Sequence, residues 1–448
     1  MTQDSCETIP VRVPRLLGAK QAGETRARWA WTQRTVWTDR MLTALERGVK
    51  GGVWFSLIDK VYSMSNLQAA FAKVKANGGA AGCDHQTIAM YETHLETNLA
   101  DLTDQLRHDA YRPRRIRRVY IPKPGGRERR PLGIPTVRDR IVQTALRNVI
   151  EPIFERDFAE HSYGFRPGRG CKEALRRVDG LLKTGYTHVV DVDLKSYFDT
   201  IPHEPLMGVV REKIADGRVL RLIESFLTQG VMDGLDEWIP TAGSPQGAVI
   251  SPLLSNTYLD PLDHEMAKAG YEMVRYADDM VILCRNVREA QQALARVQAW
   301  TASAGLTLHP DKTRIVDANQ EGFDFLGYHF ERGKRWPRDK SLEKVKDAIR
   351  SKTPRKHGRS LRVIIARVNR TTWGWFEYFK HTSYTSVFRS LDGLIRRRLR
   401  RILLKRHRQH DRNGRGMAHY RWPNAYFAEH GLFSMEAAHA RLRQSVVR

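Results

Sequence analysis

The chain has 448 residues, more than one ordinary hydrophobic core organises, so about two to four subdomains are expected. Its 75 Lys and Arg residues outnumber its 50 Asp and Glu residues, and the formal net charge of +25 indicates a polyanionic partner. Four scattered cysteines, without a Cys-x-x-Cys pair, argue against a zinc module and a disulfide framework and favour an intracellular, reducing compartment. No apolar run reaches the roughly 18 residues that membrane spanning requires, and no apolar signal core begins the chain, so no membrane partner is expected.

The first 110 residues read as helical. Residues 1 to about 65 contain two helix-like stretches, Thr25 to Val36 and Asp39 to Arg47, with mixed basic and aromatic residues that suit a nucleic-acid-facing extension. Residues 66 to 110 predict a helix, a loop of small residues at 77–82 and a long second helix. We interpret this segment as scaffold.

From Tyr111 the pattern changes to strands. Basic and apolar residues mix over 114–122, a Gly-Gly turn follows, and 129–135 continues the pattern, so a basic β-hairpin is predicted. A helix from about Asp139 to Phe154 carries one broad apolar face, which is expected to be core. Helices are predicted on to about Gln229, then a two-stranded excursion near Met232 and Trp238, and a helix from Ser251 to about Lys268.

The segment Tyr276-Ala277-Asp278-Asp279 lies between apolar stretches and predicts a β-hairpin with two acids at its turn. Burying adjacent like charges without a cation costs several kcal/mol. A further acid, Asp193, ends an apolar strand, and Asp191 lies two residues earlier on the same strand face. Three converging carboxylates are typical of a two-magnesium polymerase site, although Asp-Asp in a turn often reflects only turn chemistry.

Beyond residue 335 the chain becomes basic and helical, and we interpret this part as a separate domain. Its segment 396–408 places apolar residues on one helical face and cations elsewhere, which favours binding along a phosphate backbone. The aromatic residues at 373–379 and 422–427 have helical spacing, which is more typical of core than of base-stacking surfaces. We therefore expect the surrounding cations to make the RNA contacts. These are Arg396, Arg397, Arg398, Arg400, Arg401, Lys405 and Arg406.

From about Ala81 to its end the chain resembles bacterial-type group II intron reverse transcriptase/maturase proteins. The matching stretches keep that family's order and are Ile121–Pro124 with Arg130–Pro135, Ser162–Pro167, Asp193–Asp199, Pro245–Gly247 with Ser251–Leu254, Tyr276–Asp279, Leu308–Thr313 and Phe325–Tyr328.

The resemblance implies an α+β right-hand polymerase, with fingers and palm built from an antiparallel sheet plus helices, followed by an α-helical thumb/maturase domain. The expected boundaries are a basic extension at 1–65, fingers at 66–190, palm at 191–335 and the thumb/maturase domain at 336–448. The implied function is RNA-directed DNA synthesis together with binding of a group II intron RNA, which promotes splicing and mobility by target-primed reverse transcription. The implied partners are intron RNA, target DNA, an RNA template with a DNA primer, and deoxynucleoside triphosphates.

By the same resemblance, Asp193, Asp278 and Asp279 are the catalytic acids. Together with Leu194 they form the implied metal site, which would bind two Mg²⁺ ions, with Mn²⁺ as a substitute. Asp191 is the alternative to Asp193, but the acid that precedes Leu-Lys is the one the family motif assigns.

The resemblance also assigns nucleotide binding and a primer grip. Lys123 and Arg130 flank the Gly-Gly turn and would fold over a triphosphate, with Lys312 nearby. Phe198 would exclude a 2′-hydroxyl, with a core aromatic as the alternative, and Gln246 and Gly247 would contact the nucleotide or template. Phe325, Leu326, Gly327 and Tyr328 are the expected primer grip.

Other interpretations stay open. One is a splicing maturase without polymerase activity, and another is a reverse transcriptase with a role in defence or DNA repair. A homodimer is a further option. The chain carries no Cys- and His-rich nuclease segment before Arg448, so second-strand DNA cleavage is not expected. A cytoplasmic, nucleoid-associated location is expected.

Overall fold

The computed structural model describes residues 26–122, 129–234, 236–356, 358–407 and 417–446. The chain divides into two units. The first comprises Met1–Val119, Gly133–Phe158 and Phe198–Tyr258, and the second comprises Tyr120–Leu132, Ala159–Tyr197 and Leu259–Arg448. The chain therefore passes between the units several times.

The strands are β1 Ile116–Pro122, β2 Arg129–Ile134, β3 His188–Asp193, β4 Val231–Asp233, β5 Asp236–Trp238, β6 Glu272–Tyr276, β7 Asp279–Cys284, β8 Arg314–Asp317, β9 Phe323–Phe325, β10 Tyr328–Glu331 and β11 Lys334–Pro337. The helices are Asp39–Arg47, Ile58–Val61, Met64–Asn77, Ile88–Glu92, Leu95–Arg107, Val137–Glu155, Cys171–Lys183, Tyr197–Thr200, His203–Arg211, Gly217–Leu227, Ser251–Lys268, Val287–Ser303, Asp339–Lys352, Leu361–Phe379, Ser386–Arg406, Met417–Arg421, Asn424–Glu429 and Met435–Val446. A short 3₁₀ turn covers Lys50–Gly52.

The helix Val137–Glu155 is central to the first unit. Thr136 caps it, because its hydroxyl accepts a hydrogen bond from the Asp139 amide at 3.1 Å. The helix is buried on most sides and packs against Met64–Asn77. The buried Asp139 carboxylate accepts bonds from the Tyr111 hydroxyl at 2.6 Å and from the Arg114 amide at 3.1 Å. This network joins the helix to the start of the strand region.

Four short strands form a sheet whose order is β2-β1-β4-β5. In the first unit β1 pairs parallel to β4, with Ile116 opposite Val231, and β4 turns back antiparallel into β5. The two-stranded excursion predicted near Met232 and Trp238 is therefore confirmed.

The second unit contains the antiparallel palm sheet, ordered β6-β7-β3-β8. Its core is built from residues such as Val189, Val281 and Phe323, and the helix Cys171–Lys183 covers it through Ala174 and Val178. Asn286 caps the helix Val287–Ser303, as predicted, by accepting from the Glu289 amide at 2.9 Å. The register of this sheet determines where the acidic residues lie.

A small sheet ordered β11-β10-β9 precedes the C-terminal helices. The helices pack around their own core, which includes Ile349, Ile364, Phe376, Phe388 and Ile395. The helical character predicted for this part of the chain is confirmed.

Two expectations are wrong. Thr25 to Val36 is not one helix: only 26–28 are helical among its described residues, and turns follow. Trp373 is not core, because 54% of its surface is exposed. In the part of the chain that the structure describes, no helix has the length and apolar character to cross a membrane.

Candidate functional site

The acidic hairpin is formed by β6 and β7, and Ala277 and Asp278 make its turn. Tyr276 pairs with Asp279 across the turn, and Ala277 adopts a left-handed φ of +60°. On the other side of β7, Asp279 lies opposite Asp193 of β3. Because directly opposed residues share a sheet face and side chains alternate along a strand, Asp191, Asp193 and Asp279 lie on one face. Asp278 joins them from the turn.

The electrostatics of these acids reflect burial and mutual repulsion. Burial raises the pKa of Asp278, and the neighbouring charge of Asp193 raises it further, whereas Arg130 and Arg275 oppose the rise. Desolvation, only partly offset by Arg314, raises the pKa of Asp191 to about 6. The structure therefore disfavours an uncompensated negative charge at this end of the sheet.

Asp279 behaves in the same way. The residue lies at the exposed start of β7. Desolvation, followed by the charges of Asp191 and Asp278, raises its pKa. All three shifts go in the direction that a nearby cation would reverse.

The donor set fits magnesium. Carboxylate oxygens are the ligands that Mg²⁺ prefers, and the ion usually takes one or two carboxylates and completes its shell with water and substrate phosphates. Among the described residues no group of three or more His, Cys, Asp or Glu side chains is arranged to hold a metal ion. Asp193 and Asp278 are the residues that would hold such an ion.

The segment 308–313 brackets Asp193. His309 donates its amide to the Asp193 carbonyl at 2.8 Å, and Leu194, which is buried, bridges to Leu308. Lys312 forms an ion pair with the Asp193 carboxylate, with Nζ to oxygen distances of 3.1 and 3.2 Å. The structure therefore brings Lys312 directly to one of the predicted catalytic acids.

Sequence reasoning missed a buried ion pair beneath the turn. The Arg275 guanidinium donates from Nε to both Asp263 oxygens at 2.8 and 3.0 Å, and the two side chains are 1% and 4% exposed. Its Nη1 also donates to the Ala277 carbonyl at 2.9 Å. Arg275 thus ties the acid-bearing turn to the helix Ser251–Lys268. An arginine among the apolar residues of β6 is the signal that could have revealed it.

Gly164 is also required at this place. A Cβ atom on Gly164 would lie 2.2 Å from the Ala277 amide nitrogen. That distance is a steric clash, and the atom it meets belongs to the backbone and cannot rotate away. The flanking chain is bonded to β6, because Tyr163 donates its amide to the Arg275 carbonyl at 2.8 Å. Two segments therefore support the turn: the motif that contains Gly164 packs against its backbone, and Arg275 bonds its Ala277 carbonyl.

The predicted primer-grip residues divide into two kinds. Phe325 and Tyr328 are buried, and Leu326 and Gly327 form the turn between β9 and β10 with φ values of +46° and +83°. The Tyr328 hydroxyl donates to the Tyr378 carbonyl, and the Tyr378 hydroxyl donates to the Leu326 carbonyl, both at 2.7 Å. Of the four residues, Leu326 and Gly327 are therefore the two that are less buried.

Three predicted nucleotide residues lie in the first unit. Phe198 is partly buried, and its carbonyl accepts from the Ser244 amide at 2.7 Å. Gln246 is held by a long hydrogen bond, 3.4 Å, from its Nε2 to Asp199. Gly247 has a φ of +108°, in the region that favours glycine. Phe198 and Gln246 thus belong to one loop cluster.

The fingers hairpin is described only in part. Arg130 lies exposed on β2, and its charge opposes the raised pKa of Asp278, so the two belong together in the second unit. Lys123 lies outside the described residues. Its predicted role stays a prediction.

The basic helix Ser386–Arg406 does not present all of its arginines. Arg400 is only 4% exposed, and its guanidinium donates to the Trp422 carbonyl at 2.9 Å and to Asn424 at 2.8 Å. Arg398 donates to Thr353, and Arg406 to the Arg359 carbonyl. Arg397, Arg401 and Lys405 are exposed. The expectation that Arg400 faces RNA does not agree with its burial.

Two family models match this chain. Residues 121–330 match the reverse transcriptase (RNA-dependent DNA polymerase) model, and residues 342–422 match the maturase-specific domain of group II introns. The chain belongs to the group II intron reverse transcriptase/maturase family. The acids and the Leu326-Gly327 turn lie within the part that matches the reverse transcriptase model, and the basic helix lies within the part that matches the maturase-specific model.

Two curated proteins are similar to this chain over part of its length. The chain is 38% identical over 287 residues to protein YkfC of Escherichia coli (strain K12), which covers 55% of the chain and 74% of YkfC. It is 38% identical over 168 residues to the group II intron-encoded protein LtrA of Lactococcus lactis subsp. cremoris, covering 38% of the chain and 28% of LtrA. Among solved structures, a partial Cas6-RT-Cas1–Cas2 complex matches with a TM-score of 0.37 and 26% identity over 55% of this chain and 41% of that one.

The first prediction concerns the buried pair under the turn of this reverse transcriptase. Arg275→Met alone should destabilise the fold by about 3–5 kcal/mol, because it leaves Asp263 buried without a partner. The double change Arg275→Met with Asp263→Leu should recover most of that loss, since no charge is stranded. Urea unfolding of the single and double variants measures this. Equal stability of both variants would contradict the ion-pair account.

The second prediction concerns Asp191, whose raised pKa means that the folded state binds its proton more tightly than the unfolded chain. Stability from this group therefore falls as pH rises from about 4 through about 6. Asp191→Asn should stabilise the protein in chelator at pH 8 by on the order of 1–3 kcal/mol, and the gain should vanish near pH 4. Arg314 keeps a partner in Glu321 at 2.9 Å. Melting temperatures at both pH values measure the effect, and a gain that persists at pH 4 would contradict it.

Proposed function

We propose that this chain is an RNA-directed DNA polymerase that also binds a group II intron RNA as a maturase. The observation that carries the proposal is the register of the palm sheet. It holds Asp193 beside the Asp278-Asp279 turn, where each acid disfavours the charge of the next. Such a group is suited to bind cations and the phosphates that accompany them.

The acids would each have a distinct part. Asp193 and Asp278, with the Leu194 carbonyl, would hold the metal ions, and Asp279 would support them from β7. Two Mg²⁺ ions, when bound, lower the pKa of a primer hydroxyl and neutralise charge on the triphosphate. Mn²⁺ offers the same octahedral oxygen chemistry and would substitute.

The chain's own cations would position the triphosphate. Arg130 supports this role, because its charge already acts on Asp278, and Lys123 would assist it. Lys312 would move between Asp193 and the phosphates, since its ammonium is exposed and reaches the carboxylate. These cations orient the nucleotide before the reaction.

The loop cluster of the first unit would select the sugar. The Phe198 backbone is held by the Ser244 amide, and a Cβ on Gly243 would lie 2.8 Å from the Asp199 carbonyl, so the loop is closely fitted. A fixed backbone limits how far the Phe198 ring can retreat from a 2′-hydroxyl. Gln246 and Gly247 would contact the nucleotide or template from the same loop.

Leu326 and Gly327 would hold the primer end. Their turn is supported by Tyr378, which bonds the Leu326 carbonyl, and by the buried rings of Phe325 and Tyr328. A rigid turn positions a primer terminus within reach of the reacting phosphate.

The exposed cations of the basic helix would bind intron RNA. Arg397, Arg401 and Lys405 recur at intervals of four residues, so they form one stripe on the helix. Within the described ranges none of the three forms an ion pair with an acid, and this leaves the stripe available to a phosphate backbone. Arg396 and Arg398 flank it, whereas Arg400 acts inside the fold.

The third prediction tests the polymerase. Asp278→Asn should lower primer extension on an RNA template with a DNA primer, Mg²⁺ and deoxynucleotides by at least about 100-fold, since metal binding contributes several kcal/mol. Asp317→Asn is the matched control, because Asp317 lies opposite His188 at the other end of β3. Extension by the parent and control, but not by Asp278→Asn, supports the proposal. Intact RNA binding without extension by the parent would favour a maturase that lacks polymerase activity.

The fourth prediction tests the RNA-binding stripe. Changing Arg397, Arg401 and Lys405 together to Gln should weaken binding of a group II intron RNA and lower the slope of log affinity against log salt by about two to three. Filter binding over a range of salt concentrations measures both quantities.

The control is a second triple variant with the same loss of charge. Arg28, Lys60 and Arg211 are each paired with an acid in the first unit. Their change to Gln should leave the slope nearly unchanged. Equal loss in both triple variants would mean that net charge, and not the stripe, determines RNA affinity.

A further inference from the structure

Trp373 is unlike the other aromatic residues of its helix. It is 54% exposed, whereas Phe376 and Phe379 of the same helix are 2% and 5% exposed. Leaving a side chain of this size in water forgoes about 2–3 kcal/mol of burial that a core position would provide. A large exposed aromatic in a basic domain is therefore a candidate contact for a ligand.

The Trp373 ring is held in place from one side. Phe433 contacts it edge to face at a centroid distance of 4.9 Å. Asn369 fixes the Phe433 segment, because its side chain accepts from the Phe433 amide at 2.9 Å and donates to the Gly431 carbonyl at 2.7 Å. The ring is thus positioned before any ligand arrives, which lowers the entropy lost on binding.

The surroundings of the ring are open and basic. Gly374 follows it, and a Cβ built there would have no heavy atom within 4 Å, so packing does not require glycine at this helix position. Arg370 lies one turn earlier on the same face and is exposed. Glu377, one turn later, is paired with Lys380 at 2.8 Å. A flat aromatic ring beside a cation suits a nucleobase with its phosphate.

We propose that Trp373, Gly374 and Arg370 form a stacking site for an unpaired nucleobase of RNA. Trp373 stacks on the base, Arg370 contacts the adjoining phosphate, and Gly374 lets the ribose approach the helix backbone. The site deepens the RNA-binding role proposed above and rests on it. An unpaired base is favoured over a duplex because a base within a helix is already stacked on its neighbours and offers no free face.

The first test joins a protein change to an RNA change. The full chain is titrated with a fluorescent single-stranded oligoribonucleotide, with the same RNA carrying one abasic position, and with an RNA duplex. Trp373→Ala should lower affinity for the intact single strand about 5- to 100-fold, as expected for loss of one stacked base, and Trp373→Phe should keep part of it. When the abasic position is the one that most weakens binding of the parent, Trp373→Ala should lower affinity for that abasic strand much less than for the intact strand. Its effect on affinity for the duplex should be small.

Tyr420→Ala is the matched control, because Tyr420 is an exposed aromatic at 86% in the same domain. It should leave affinity for the single strand unchanged. Equal losses from Trp373→Ala on single strand and duplex would overturn stacking and indicate duplex docking. Equal losses from both aromatic variants would overturn the assignment to Trp373.

The second test separates stability from binding. Gly374→Ala should raise the melting temperature, since glycine in a helix interior costs about 0.5–1 kcal/mol relative to alanine, and should lower RNA affinity. Gly180→Ala on the helix Cys171–Lys183, where the built Cβ also meets no atom within 4 Å, should raise stability and leave binding unchanged. Unchanged RNA affinity of Gly374→Ala would overturn the close approach at this position.

The same experiments distinguish failure of the maturase function from failure of the stacking site. If the parent chain does not bind RNA at all, the proposed maturase function fails. If the parent binds RNA and extends primers while the Trp373 variants bind as well as the parent, the function stands and the stacking site is overturned.

Discussion

The repulsion among carboxylates at one end of the palm sheet is the constraint on which the rest of this protein depends. β3 and β7 pair in a register that sets Asp193 against Asp279, and the turn adds Asp278. Burial and like charge raise the pKa of the surrounding acids, so the arrangement is costly without a cation. Other contacts in the fold therefore have to hold the acidic side chains in place against their mutual repulsion.

Two buried contacts hold the turn that carries the acids in place. Arg275 bonds the carbonyl of Ala277 from below and is itself neutralised by Asp263. Gly164 lets a second segment approach the turn where any side chain would collide with backbone. Neither residue is expected to touch a substrate. Their contribution is to fix where the acidic side chains point, as a positioned site requires.

Arginines in the maturase-specific domain serve different purposes at neighbouring positions of one helix. Arg400 is buried and bonds Trp422 and Asn424, and Arg398 bonds Thr353, so both act inside the fold. Arg397, one residue before Arg398, is exposed. With 100° of rotation per residue, one helix supplies both core contacts and a basic surface. Charge alone therefore does not identify an RNA contact.

The sequence by itself determined the family, the order of the elements and the acids at strand ends, because motif residues and hydrophobic periodicity are local properties of the chain. The hairpin at 276–279, the cap at Asn286 and the two-stranded excursion near Met232 all follow from such local signals. The tertiary structure decided the rest. Asp263, on a separate helix, forms an ion pair with Arg275. Arg400 is buried, whereas Trp373 is exposed. These outcomes depend on which faces of distant segments meet, and local pattern carries no information about that contact.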